Sequence, residues 1–308
     1  MALKPRESCN HMTTEVRPRR SALYLPGNNL RAIKKAPTLP ADVVIFDLED
    51  AVGDDDKVVS RDRVCTAVAS GVYAPREVVV RINGLDTPWH DADLSAVAAS
   101  GADGVLVPKV ESGRDVQRLV AALEEVGAPK DLKLWVMIET PGSFLCVSEI
   151  ASVSDRLAVL IIGTNDLIND IHALYRPGRA PIMTALSLAV LGAKAAGKSI
   201  LDGVFNDIRD LEGFAAEAQQ GRELGFDGKT VIHPGQVGPA NEAFGPTALE
   251  VAHARSVVSA YEQALAVGKS VIVLDGLMIE SLHVRDAQRI LAYEALIHEL
   301  ELATTTTI

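Results

Sequence analysis

The sequence predicts a (β/α)8 barrel followed by a C-terminal helical extension, and three observations carry the prediction. Short aliphatic runs recur eight times along the 308 residues, with helix-like stretches between them. The runs are apolar through their length rather than alternating, the pattern of parallel strands covered on both faces. Nearly every run also stops in a polar or charged residue, and barrel active sites gather at the C-terminal ends of all strands. An open doubly wound sheet is the competing architecture, and the ring of polar strand ends favours the barrel.

The elements follow in order. S-A-L-Y-L (21–25) runs into Pro-Gly-Asn-Asn, and D-V-V-I-F-D-L (42–48) carries the acidic Asp-Leu-Glu-Asp. E-V-V-V-R-I-N (77–83) holds an arginine inside its apolar run, and G-V-L-V-P-K (104–109) ends in Pro-Lys. K-L-W-V-M-I-E (133–139) stops at a glutamate, and R-L-A-V-L-I-I-G (156–163) leads into Gly-Thr-Asn-Asp. S-I-L-D-G-V-F (199–205) precedes Asn-Asp, and K-T-V-I-H-P (229–234) ends in His-Pro. Between them, stretches such as 93–102 and 114–128 show 3–4 apolar spacing with a glycine near the end, as helices do. Starting points fall roughly 20 to 40 residues apart, the length of a βα unit.

Three segments result. Residues 1–19 are polar and basic and read as a flexible N-terminal arm; residues 20–244 form the barrel; residues 245–308 form the extension. The extension holds a helix over 245–265, an apolar stretch V-I-V-L-D-G-L-M-I-E (271–280) and a last helix over 283–302. No Pro/Gly/Ser linker separates it from the barrel, so it packs on its own subunit or on a neighbour.

Composition narrows the function classes. Apolar residues make up 48% of the chain and aromatics 4%, so the core is aliphatic. A formal net charge of −11 argues against nucleic-acid binding, which needs basic surface. No run is apolar enough to span a bilayer, and the N-terminus lacks the apolar centre of a secretory signal. The three cysteines, Cys9, Cys65 and Cys146, form neither a zinc spacing nor a disulfide framework, which fits a reducing cytoplasm. No GxxxxGK[ST] or GxGxxG motif supports nucleotide hydrolysis or a dinucleotide fold.

The strand ends offer the candidate chemistry. Glu139 and Asp166 close adjacent strands, so their side chains can converge, and two hard oxygens with room for water suit Mg2+. Pairing of Glu139 with Arg81 or Lys109 is the metal-free alternative, and spacing leaves the two level. Arg81 cannot discharge and must find anions: Asp47, Glu49 and Asp50 as a structural salt bridge, a substrate carboxylate or enolate, or both together. In the first loop Tyr24 precedes Arg31 and Lys35, which are four residues apart and share a helix face. A phosphate-bearing ligand at the barrel mouth is one reading, and an ordinary solvated basic face is the other and the commoner. His233 is either an acid/base group or part of a hydrogen-bond network.

Taken together, R-S-A-L-Y-L-P-G-N, F-D-L-E-D-A-V, V-R-I-N, P-K-V-E-S, M-I-E-T-P, G-T-N-D-L, G-F-D-G-K-T-V-I-H-P-G-Q-V and G-L-M-I-E occur in that order. The chain resembles the citrate lyase beta-subunit-like family, which includes malyl-CoA and citramalyl-CoA lyases, from about residue 20 to 295. The resemblance implies a barrel that assembles as a homotrimer or hexamer, with Mg2+ on Glu139 and Asp166. It implies that Arg81 binds the 2-oxo-acid portion, that Tyr24, Arg31 and Lys35 contact a CoA thioester, and that substrate also meets Glu139.

The implied reaction is a retro-Claisen or aldol-type cleavage, with citramalyl-CoA giving acetyl-CoA and pyruvate. Loss of the hydroxyl proton breaks the C–C bond, with the metal as Lewis acid and Arg81 as fixed charge. A general acid then protonates the enolate carbon. The family places an Asp from a neighbouring subunit there; this chain has Glu280, one methylene longer, with Asp275 a weaker stand-in. Malyl-CoA lyase, the beta subunit of citrate lyase, and a non-catalytic CoA-ligand-binding barrel are the alternatives.

Overall fold

The computed structural model describes residues 17–307, and eight strands close in sequence order into one parallel barrel. They are β1 (Ser21–Pro26), β2 (Val43–Asp47), β3 (Glu77–Arg81), β4 (Gly104–Val107), β5 (Lys133–Ile138), β6 (Leu157–Ile162), β7 (Ser199–Asp202) and β8 (Gly228–Val231). β8 closes onto β1 with Ser21 opposite Lys229 and Leu23 opposite Val231. Several predicted strands run past the observed ones. Ile82–Asn83 and Gly203–Phe205 continue the predicted runs but lie beyond the last strand residues, Arg81 and Asp202.

The connecting helices are α1 (Leu30–Lys35), α2 (Lys57–Ala69), α3 (His90–Ala98), α4 (Gly113–Glu125), α5 (Pro141–Leu145), α6 (Val147–Ser152), α7 (Thr164–Asp170), α8 (Met183–Ala195), α9 (Leu211–Leu224) and α10 (Val237–Phe244). Two apolar layers follow. Outward-facing strand residues such as Val44, Val80 and Leu134 pack beneath the helices. Inward-facing ones, among them Val43, Val79, Leu106, Trp135, Met137 and Ile161, fill the barrel, with Tyr24 packed against them. This alternation explains the unbroken apolar runs in the sequence.

Ion pairs seal the floor of the barrel. Arg19 grips Glu77 at 2.6 and 2.9 Å, and Arg20 grips Asp42 at 2.9 and 2.8 Å. Arg17 reaches Asp103 at 3.3 Å, so the chain is already tied to the floor at residues the sequence assigns to an arm. The rest of that arm, residues 1–16, lies outside the described residues.

Beyond α10, α11 (Ala248–Ala266) packs against α12 (Ser281–Thr307), with the hairpin of β9 (Ile272–Leu274) and β10 (Leu277–Ile279) between them. Ala254, Val257, Tyr261, Ile279, Val284 and Ala287 form a small core of their own, separate from the barrel interior. Asp275 and Gly276 make the hairpin turn with positive φ at both positions, the backbone that Asp-Gly turns adopt. Turn formation thus accounts for Asp275. No helix among the described residues is long and apolar enough to cross a membrane.

Candidate active site

Arg81 organises the C-terminal mouth of the barrel. Its Nε and Nη2 donate to the two Asp47 oxygens, both at 2.7 Å, in a bidentate fork. Nη1 lies 2.9 Å from a Glu49 oxygen and 3.6 Å from Asp50. Burial works against the Arg81 charge, but Asp47 and its neighbours override it and hold the guanidinium firmly protonated. The guanidinium also stacks over the Tyr24 ring, 4.9 Å from its centroid. Asp47 in turn accepts the backbone N–H groups of Glu49 and Ala51, which folds the Asp-Leu-Glu-Asp segment around the arginine.

Glu139 answers the question its sequence position raises. Its carboxylate is 2% exposed and makes no ion pair among the described residues. One oxygen accepts the backbone N–H of Lys109 at 2.7 Å, an alignment that Lys109 reaches with a φ of 55°. The Lys109 ammonium goes elsewhere, to Glu49 at 3.4 Å. Burial, and then the charge of Asp166, push the Glu139 carboxyl up to about 8. The rest of Met-Ile-Glu-Thr-Pro is structural: Thr140 caps α5 by accepting from Ser143 N–H, and Pro141 opens the helix. Gly163 must be glycine, because a Cβ there would collide with the Glu139 side chain.

Charge at the mouth is unbalanced. Asp47, Glu49, Asp50, Glu139 and Asp166 converge there against the cations Arg81 and Lys109. Burial pushes the Glu49 carboxyl upward even with Arg81 opposing it. Among the described residues no cluster of three or more His, Cys, Asp or Glu is placed to hold a metal. A pair of hard carboxylates with open space beside it instead fits Mg2+, which keeps several positions for water and substrate. That space is a cavity of about 420 Å3 lined by Tyr24, Asp47, Arg81, Met137 and Asp166, among others.

The structure gathers some of the sequence candidates and separates others. Tyr24, Arg81 and Asp166 line the cavity, and the Glu139 carboxyl feels the charge of Asp166. Arg31 and Lys35 lie on the exposed face of α1, outside the cavity lining. Glu280 sits between β10 and α12, its backbone N–H bonded to His283 at 3.0 Å, and it does not line the cavity of its own barrel. His233 accepts the Gly235 N–H at 3.0 Å and caps the turn after β8, which is the hydrogen-bond reading of that residue. The backbone N–H of Lys109 and the lining residues Met137, Asn165 and Asn206 were not among the sequence candidates. A positive-φ backbone leaves no signature in a lysine, and neutral side chains in loops carry none in their spacing.

A closed barrel whose charged side chains gather at the C-terminal rim defines a barrel enzyme. The chain belongs to the HpcH/HpaI aldolase/citrate lyase family, whose model matches residues 20–234, and this places it among carbon–carbon lyases. It is 43% identical to the (3S)-malyl-CoA thioesterase of Cereibacter sphaeroides strain KD131 over 281 residues, 91% of this chain and 96% of that one. It is 35% identical to the citrate lyase subunit beta of Leuconostoc mesenteroides subsp. cremoris, over 89% of this chain and 92% of that one. CitE of Mycobacterium tuberculosis, solved with magnesium, acetoacetate and coenzyme A, superposes with a TM-score of 0.72 at 29% identity, covering 89% of this chain and 97% of that one.

Proposed function

We propose that the protein is a Mg2+-dependent carbon–carbon lyase acting on a short 3-hydroxyacyl-CoA with a carboxylate on its carbinol carbon, citramalyl-CoA giving acetyl-CoA and pyruvate. The observation that carries this reading is the buried Glu139 carboxylate, without an ion-pair partner among the described residues and within the field of Asp166, which lines the open cavity. An anionic substrate entering so acidic a mouth needs a divalent cation between it and the carboxylates. Glu139 and Asp166 would hold Mg2+, which when bound supplies Lewis-acid polarisation of the hydroxyl and carboxylate oxygens. The magnesium and coenzyme A in the M. tuberculosis CitE structure support a magnesium-dependent reaction on a CoA thioester.

The chain's own residues do the rest. Arg81, fixed by Asp47 and Glu49, binds the substrate carboxylate through the N–H groups those partners leave free. Arg81→Lys is expected to lower kcat/KM by about 100-fold, because an ammonium cannot hold Asp47 and a substrate oxygen in one plane. Steady-state kinetics on the purified variant checks this. Arg31 and Lys35, exposed at the rim, meet the phosphates of CoA, and Tyr24 faces the acyl end.

Glu280 serves as the acid/base group. As a carboxylate it accepts the carbinol hydroxyl proton as the C–C bond breaks, and it returns that proton to the acetyl carbon of the enolate. It lies on the extension, away from its own cavity, so it serves the mouth of a neighbouring subunit in a homotrimer or hexamer, and the assembly works in the cytoplasm. Glu280→Gln is expected to lose about 100-fold in kcat. Mixing Glu280→Gln subunits with Glu139→Gln subunits, then dissociating and reassembling them, is expected to restore a fraction of the activity. A mixture as inactive as its parents would place the acid elsewhere.

A second reading is hydrolysis of malyl-CoA, favoured by the 43% identity to malyl-CoA thioesterases over 96% of their length. The products separate the readings when malyl-, citramalyl- and citryl-CoA are each supplied with Mg2+. Cleavage yields acetyl-CoA and a 2-oxo acid, whereas hydrolysis yields free CoA thiol and the intact hydroxy acid. Turnover of citryl thioester alone would point to a citrate lyase beta subunit, and none at all to a CoA-ligand-binding barrel.

A further inference from the structure

One side chain at the centre of the mouth has no part in the reaction as proposed. Met137 is 5% exposed, lies on the inward face of β5 and lines the mouth cavity. Its thioether sulfur is 3.6 Å from Arg81 Nη1 and 3.9 Å from the Tyr24 hydroxyl. Two strong donors, one of them charged, therefore converge on a weak acceptor. Filling a gap in the barrel interior would need neither donor, since methionine does that among apolar neighbours. Donors held this way have capacity in reserve for a hard oxygen, and charge-assisted bonds to oxygen are far stronger.

Position gives the sulfur its meaning. Residues i and i+2 share a face of a strand, so Met137 points inward two residues before Glu139. Its sulfur touches the arginine proposed to take a carboxylate, and its strand face continues toward the glutamate proposed to hold the metal. A substrate spanning those two groups sets its carbinol carbon, with whatever substituent that carbon bears, against the thioether.

We propose that Met137 is the specificity-determining residue of the acyl pocket, and this rests on the lyase reading above. A substrate oxygen takes the Arg81 and Tyr24 donors from the sulfur, the flexible thioether folds aside, and the volume it still occupies selects between hydrogen and methyl on the carbinol carbon. The test compares wild type, Met137→Ala and Met137→Leu for kcat/KM on malyl-CoA and citramalyl-CoA with Mg2+, alongside calorimetric binding of glyoxylate and pyruvate. Met137→Ala is expected to raise the citramalyl-to-malyl ratio about tenfold, the scale of one methylene in an apolar pocket. Met137→Leu, which conserves volume, is expected to leave the ratio within about twofold. Met137→Val replaces the alanine variant if that one does not fold, with a smaller shift in the same direction. Parallel losses on both substrates, with the ratio unchanged in the smaller variants, would make Met137 a packing residue and overturn the proposal. Wild type that turns over neither thioester and binds neither 2-oxo acid would overturn the lyase reading itself, and this inference with it.

Discussion

Glu139→Gln is expected to abolish Mg2+ binding and to lower kcat/KM by about 1,000-fold, while raising the melting temperature of the metal-free protein at pH 8. The loss corresponds to the several kcal/mol of charge stabilisation a catalytic metal supplies. The gain has a separate origin. Burial and the charge of Asp166 push the Glu139 carboxyl to about 8 in the folded protein, against 4.5 as the ordinary value. Between those values the folded state holds a proton that the unfolded state has released, so stability falls as pH rises through the window. Glutamine carries no charge to bury and is free of that penalty, which amounts to a few kcal/mol above the window. Calorimetric scans at pH 5 and pH 8 check this. The metal-free wild type is expected to lose ground to the variant between the two, and Mg2+ is expected to stabilise wild type most at pH 8. A variant that still responds to Mg2+ would show that the ion sits elsewhere.

The second large effect is structural. Asp202 is fully buried and accepts both Arg179 Nη1 contacts, at 2.7 and 2.8 Å, and Lys229 Nζ at 2.9 Å. Lys229, itself fully buried, also reaches Glu217 at 2.9 Å. Burial opposes the Asp202 charge, but Lys229 and then Arg179 outweigh it and hold the carboxyl below its usual range. Its contribution is therefore present at neutral pH and lost as pH falls through the acid range. Asp202→Asn leaves two buried cations short of an anion, at a cost of about 3–5 kcal/mol. Thermal unfolding at pH 7 is expected to drop by about 10 °C, and a shift under about 2 °C would contradict the account. Gly203, which follows Asp202, packs against Thr164 of the cavity lining, so the same variant is expected to raise KM.

These cases show what the sequence could and could not disclose. The barrel was legible because strand burial on both faces and polar strand ends are linear features of the chain. Glu139 and Asp166 were legible as charged punctuation after apolar runs. Whether Glu139 pairs with Lys109 or Arg81 was not, because it turned on where those two side chains go. In the fold the backbone of Lys109 meets Glu139 while the side chain goes to Glu49. The Lys229–Asp202–Arg179 network was hidden for a related reason. Lys229 opens K-T-V-I-H-P at a strand start, and only the fold brings Asp202 of β7 and Glu217 of α9 onto its buried ammonium. Glu280 stands at a motif position in the sequence, yet it does not line the cavity of its own barrel, so the role proposed for it requires a neighbouring subunit.

The most direct test supplies the purified protein with citramalyl-CoA and malyl-CoA, with Mg2+ or with EDTA, and identifies the products by mass spectrometry. Equimolar acetyl-CoA and 2-oxo acid, formed with Mg2+ and stopped by EDTA, is the predicted result. Free CoA thiol with intact hydroxy acid, or cleavage indifferent to chelation, would contradict it.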